Sequence, residues 1–122
     1  EGCSVLELGS GLGLPGRVSA QRGARSVVLT DNDPDVVAAS KSMDTNNDND
    51  GTIGIQSRFL EWRDGPESDG EDQQQEKYDI ILGADCAYYF FLLGPFMNTM
   101  QRSLATKDSK DDDKVVGTCL IV

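Results

Sequence analysis

A chain of 122 residues with a hydrophobic fraction of 38% holds enough apolar material for one domain with a real core, and not for two. Eleven basic residues stand against 21 acidic ones, a formal net charge of -10, and no basic stripe is visible, which argues against a nucleic-acid footprint. Such a balance keeps a domain soluble and is compatible with a basic protein partner. Cys3, Cys86 and Cys119 are widely spaced, form no CxxC pair and have no histidine beside them, so neither a metal site nor a disulfide framework is expected and a reducing compartment is the simpler inference.

In chain order, Ser4 to Leu8 is a short apolar strand that runs into glycines. Leu14 to Arg22 suits a helix, with Pro15 in its first turn and Gly23 as its C-terminal stop. Ser26 to Thr30 is a β-branched strand closed by Asp31. Asn32 or Asp33 before Pro34 signals a helix start, and that helix runs to about Met43. Asp44 to Gly51 is polar and turn-rich, and Thr52 to Ile55 or beyond is a weak third strand. Asp64 to Lys77 is an acidic, Gln-rich, low-complexity loop. Tyr78 to Gly83 is almost continuously apolar, as a strand buried on both faces should be. Pro95 to about Leu104 is a helix whose Phe96, Met97, Met100 and Leu104 form one core-facing stripe. A charged loop from Thr106 to Lys114 leads to a last strand, Val115 to Val122, which would expose an apolar edge and promote association. The longest apolar stretch, Ile80 to Met97, contains Asp85, two glycines and Pro95, which argues against a membrane span. The chain starts at the edge of one strand and stops inside another, and so reads as a fragment, cut at both ends.

Strand and helix alternate throughout, which predicts an α/β fold: a Rossmann-like, doubly wound, mostly parallel sheet with helices on both faces. Ligands of such sheets bind beyond the carboxyl ends of the strands, and the polar features fall there. Gly9, Gly11 and Gly13, with Ser10 between them, follow the first strand directly and let the backbone turn sharply against a ligand. Gly11, Gly13 and Gly16 also spell GxGxxG, with Asp31 downstream, so the glycines alone fit a dinucleotide or S-adenosylmethionine equally, or a plain strand-to-helix turn. Glu7 tips the balance. A carboxylate near the end of an apolar strand needs a partner, either a cationic ligand group or loop N–H donors, and it would repel a pyrophosphate. Asp31 can accept both hydroxyls of a ribose, since Asn32 and Asp33 already supply helix capping. Asp85, among apolar neighbours at the end of the fourth strand, can face a cationic group with Tyr88 as part of an aromatic wall, while Tyr89 and Phe90 read as core or rim packing. Trp62 can stack on an adenine or cover the sheet edge.

These residues resemble a known family. Glu7-Leu8-Gly9-Ser10-Gly11-Leu12-Gly13-Leu14-Pro15-Gly16, then Leu29-Thr30-Asp31, then Leu60-Glu61-Trp62, then Asp79-Ile80-Ile81-Leu82-Gly83-Ala84-Asp85-Cys86-Ala87-Tyr88 are similar, in order, to the motifs of the seven-β-strand lysine methyltransferases, often called methyltransferase family 16. The resemblance covers nearly the whole chain and implies one S-adenosylmethionine-binding domain over residues 1–122. It implies that Gly9, Ser10 and Gly11 line the methionine part of the cofactor, with Glu7 and Gly13 in the same set. Asp31, with Asn32 beside it, would hold the ribose. Trp62 and its neighbours, Leu60 among them, would contact the adenine, and Ala84 would touch the cofactor through its backbone. Asp85 and Tyr88 match the D-x-x-Y signature beside the methyl acceptor, and are the catalytic candidates. The implied partner is a protein with a target lysine, such as a chaperone or an elongation factor, in the cytoplasm or the nucleus. Nucleic acid and membrane are not implied, and nothing points to an oligomer. The family's segment before the first strand and its last two strands have no counterpart in the chain, and the Gln-rich loop is an insertion. Two rival readings stand beside this one: a non-catalytic methyltransferase-like binding module, and an NAD-binding oxidoreductase.

Overall fold

The computed structural model describes residues 2–44, 53–64, 76–105 and 117–121. The central strand, β1 (Ser4–Leu8), is buried at all five positions, which is why it shows no polar alternation. On one side it pairs with β2 (Ser26–Asp31), which pairs in turn with β3 (Ile55–Phe59). On the other it pairs with β4 (Ile80–Gly83), followed by β5 (Thr118–Ile121). The order is β3-β2-β1-β4-β5 and every pair is parallel, so all five carboxyl ends lie along one edge of the sheet. The order reverses between β1 and β4, the kind of switch point outside which ligands of open α/β sheets bind, between the loops leaving the two strands.

Alternation along the strands separates two cores. Val5, Val27 and Leu29 face helix α1 (Leu14–Gln21) with Ala20, Ala24, Ile55, Ile80 and Leu82. Leu6, Leu8, Val28 and Ile81 face helix α3 (Leu93–Ser103) and pack with Phe96 and Tyr78, with Met97, Met100 and Leu104 at the margin. The stripe read from the sequence is thus the buried face of α3. Helix α2 (Pro34–Ser42) lies on the α1 side, where its buried Ser40 hydroxyl meets that of Ser57 at 2.7 Å. Its N-cap is Asp33, whose carboxylate accepts the N–H of Asp35 at 2.9 Å.

Three boundaries differ from expectation. Helix α3 starts at Leu93, not Pro95, after a 3-10 turn over Phe90–Leu92, because a proline in the first helical turn has no intrahelical N–H to lose. β4 starts at Ile80, since Tyr78 pairs instead with Leu104 in an isolated bridge. β3 starts at Ile55, where its pairing with Val27 begins, and not at Thr52, and it runs beyond Ile55 to Phe59 as the sequence allowed. Most of the Gln-rich loop, the loop at 106–114 and both ends of the expected last strand lie outside the described residues. Tyr89 and Phe90, read as core or rim packing, are exposed, and Phe90 is 92% accessible. They precede α3 on a 3-10 turn that holds no buried residue, so no core face was available to them.

Candidate active site

The turn after β1 is built from left-handed glycines. Gly9 has φ 61° and Gly11 φ 54°, a region where a side chain is strained. Gly13, also left-handed, is the N-cap of α1, and its N–H closes the turn on the Ser10 carbonyl at 2.8 Å. The turn is tied to β2 at two points. Ser10 N–H donates to the Thr30 carbonyl at 2.9 Å, and Gly11 N–H donates to Asp31 Oδ2 at 2.9 Å. Asp31 is half-buried at the end of β2, and its other oxygen accepts the N–H of Asp33 at 3.1 Å. Asn32 is exposed between them.

Glu7 lies beneath the turn at 1% exposure, on the α1 side of the sheet. Its Oε2 accepts the Gly16 N–H at 2.8 Å, so of the two partners open to it in the sequence the structure supplies the N–H donor, in the first turn of α1. Burial pushes its carboxyl above the ordinary value, while the Gly16 N–H and the Arg17 charge pull the other way. A Cβ on Gly16 would lie 2.4 Å from Leu29 Cδ2, so this close approach of α1 to the sheet requires glycine. Arg17, the one basic residue of α1, bonds to the carbonyls of Leu12, Met43 and Ser40 and to Asp44 at 3.1 Å. A buried acid below the turn and a cation committed elsewhere suit a pyrophosphate poorly.

The loops after β3 and β4 pack against the turn and β2. Leu60 N–H donates to the Asp31 carbonyl at 2.9 Å, which carries the chain toward Trp62. The indole stands edge-on to Phe96 with ring centroids 5.0 Å apart. A Cβ on Gly9 would lie 3.2 Å from Trp62 Cζ2 and 2.6 Å from Cys86 Cβ, so both residues press on the glycine turn. The sequence spacing of Cys86 excluded metal and disulfide roles and left this contact unseen. The signal that could have found it is positional: it follows Asp85 just beyond a strand end, on the strand next to β1. Ala84 is half-buried at the same edge. Asp85 is exposed and adopts φ 49°, the one non-glycine residue with positive φ among those described. Strain of this kind, of order 1–3 kcal/mol, collects where function constrains the backbone. Tyr88 is 70% exposed with its ring 4.5 Å from that of Tyr89, which stacks on Phe91 at 5.3 Å. The structure therefore brings Gly9, Ser10, Gly11, Asp31, Leu60 and Trp62 together through direct contacts, and sets Asp85 and Tyr88 on the outer rim.

A parallel sheet with the β3-β2-β1-β4-β5 order, a glycine turn at the switch point and an acid ending β2 define a Rossmann-like nucleotide-cofactor fold, the architecture that class I methyltransferases share with dinucleotide-binding proteins. A solved S-adenosylmethionine-dependent methyltransferase from Mesorhizobium loti has the same fold, with a TM-score of 0.60 at 19% identity, over 85% of this chain and 43% of that one. The sequence profile of the lysine methyltransferase family matches residues 1–118, and the chain belongs to that family. It is 34% identical over 124 residues to the protein N-terminal and lysine N-methyltransferase efm7 of Aspergillus fumigatus, a match that covers 95% of this chain and 46% of that protein. It is 30% identical over 112 residues to calmodulin-lysine N-methyltransferase of Arabidopsis thaliana, covering 90% of this chain and 36% of the relative. The chain thus spans less than half the length of the relatives it matches.

Of the two cofactors the glycines alone allowed, membership of this family selects S-adenosylmethionine. The cleft fits it. Asp31 keeps acceptor capacity beyond its two backbone donors. A Cβ at Gly11 would meet nothing within 4 Å, which leaves the turn open on that side.

Proposed function

We propose that this chain forms the cofactor-binding part of a protein-lysine N-methyltransferase, with the cleft between the β1 and β4 loops as its active site. The observation that carries the reading is the position of Asp85-Cys86-Ala87-Tyr88: the family's D-x-x-Y segment leaves β4 against the glycine turn, through Cys86 and Gly9. In this reading Gly9, Ser10, Gly11 and Gly13 hold the methionine part of the cofactor, with Glu7 fixing the turn from below. Asp31 and Asn32 take the ribose, Leu60 and Trp62 the adenine, and Ala84 lines the wall through its backbone. When bound, S-adenosylmethionine supplies an electrophilic methyl group, so the protein need chiefly align the reactants. Asp85 binds the incoming lysine ammonium at the rim. A carboxylate favours the charged amine and is a poor base for it, so the proton passes to water, which the exposed rim admits. Tyr88 walls this position, and the exposed run from Tyr88 to Phe91 receives the flanking residues of the protein substrate.

A cytoplasmic or nuclear location belongs to the same reading and is supported by three cysteines spaced unlike a disulfide framework. Localisation of a fluorescent fusion tests it, and secretion would contradict it. The catalytic assignment is tested in the full-length protein. Asp85→Ala should lower methyl transfer by roughly 100-fold or more, the scale of a lost positioning group. S-adenosylmethionine affinity should stay near that of the parent. Unchanged turnover would contradict the role of Asp85.

A further inference from the structure

Asp31 has a second task in this cleft. Its Oδ2 holds the Gly11 N–H at 2.9 Å, and Oδ1 holds the Asp33 N–H at 3.1 Å. Gly11 has φ 54° and open space where a side chain would project, so no packing on that side fixes its peptide. The neighbouring anchor, Ser10 N–H on the Thr30 carbonyl at 2.9 Å, fixes the peptide before it. A hydrogen bond to an ionised carboxylate is stronger than one to a neutral acceptor, and here it sets the direction of the peptide at the tip of the turn. We propose that Asp31 is a positioning residue for the glycine turn as well as the ribose acid, so that one carboxylate couples the two ends of the cofactor cleft.

The inference rests on the S-adenosylmethionine reading of the cleft, and its test separates the two. A residue that only touched ribose would leave the empty protein unaltered and would be silent toward a ligand without ribose hydroxyls. Amide hydrogen exchange in the ligand-free chain reads the first point. In Asp31→Ala the Gly11 amide should exchange about tenfold faster or more, with Ser10 unmoved. In Asp31→Asn, which has one acceptor oxygen for the two N–H donors of Gly11 and Asp33, protection should return only in part. Binding of S-adenosylhomocysteine and of its 2′,3′-dideoxy analogue reads the second. Asp31→Ala should weaken the dideoxy analogue too, by roughly fivefold or more, because the turn around the amino-acid end has lost its strut. Equal Gly11 exchange in parent and Asp31→Ala would overturn the proposal, as would equal affinity of the two proteins for the dideoxy analogue. A parent that bound neither ligand would contradict the cofactor reading, while the exchange measurement would still decide whether Asp31 holds Gly11.

Discussion

Two glycines of the same turn differ in what a methyl group would cost, and the difference tests the geometry. Gly9 and Gly11 both carry positive φ, worth about 1–2 kcal/mol against alanine. At Gly9 the new Cβ would also collide with Cys86 at 2.6 Å, adding overpacking of about 1–3 kcal/mol, whereas at Gly11 it meets open space. Denaturant unfolding should therefore find Gly9→Ala clearly less stable than Gly11→Ala, and equal losses would contradict the placement of Cys86. Glu7 supplies a pH signature. Its carboxyl is raised in the folded state, so its contribution is fully present below the ordinary carboxylate range and is lost as pH rises through the raised value. Asp79 has the opposite sign. The Ser4 N–H and hydroxyl lower its carboxyl, and its contribution, present above the ordinary value, is lost as pH falls through the lowered one. Glu7→Gln keeps an acceptor for Gly16 and should flatten the decline in stability as pH rises above the ordinary carboxylate range. An unchanged slope would contradict a raised Glu7. The sequence showed that Glu7 needs a partner, but not which of two it finds, because the choice depends on how closely α1 packs through Gly16.

The strands and helices were largely legible because their signals are local: β-branched apolar runs, Pro34 behind a capping acid, and the Phe96 stripe. The 3-10 turn before α3 was not, since Tyr89 and Phe90 read as core or rim packing and only the tertiary fold leaves them exposed. Helix α3 matters to the site through Phe96, which is 0% exposed, holds the edge of Trp62 and abuts Gly83 at the end of β4. Phe96→Ala should cost about 3–5 kcal/mol, enough to unfold so small a domain, while Phe96→Leu, which leaves a smaller void, should cost less. In the leucine variant the fluorescence of Trp62, the chain's single tryptophan, should shift as the indole loses its ring contact. An unaltered spectrum would place Trp62 elsewhere.

At the scale of the molecule, the protein substrate proposed to meet the exposed aromatic run beside Asp85, on a chain of net charge -10, would be a basic, partly apolar segment. Phe90→Ser with Phe91→Ser should raise KM for the protein substrate of the full-length enzyme by roughly tenfold and leave cofactor affinity unchanged, as expected of anchors outside the cofactor cleft. The sheet edge that gathers these loops followed from strand–helix alternation alone, but the contacts across it, Asp31 to Gly11 and Cys86 to Gly9, join residues far apart in sequence and needed the fold. The most direct measurement is calorimetry of this chain with S-adenosylmethionine and, separately, with NAD. S-adenosylmethionine should bind, and Asp31→Ala should weaken it by about 1.5–3 kcal/mol. Preferential binding of NAD, or of neither ligand, would contradict the account.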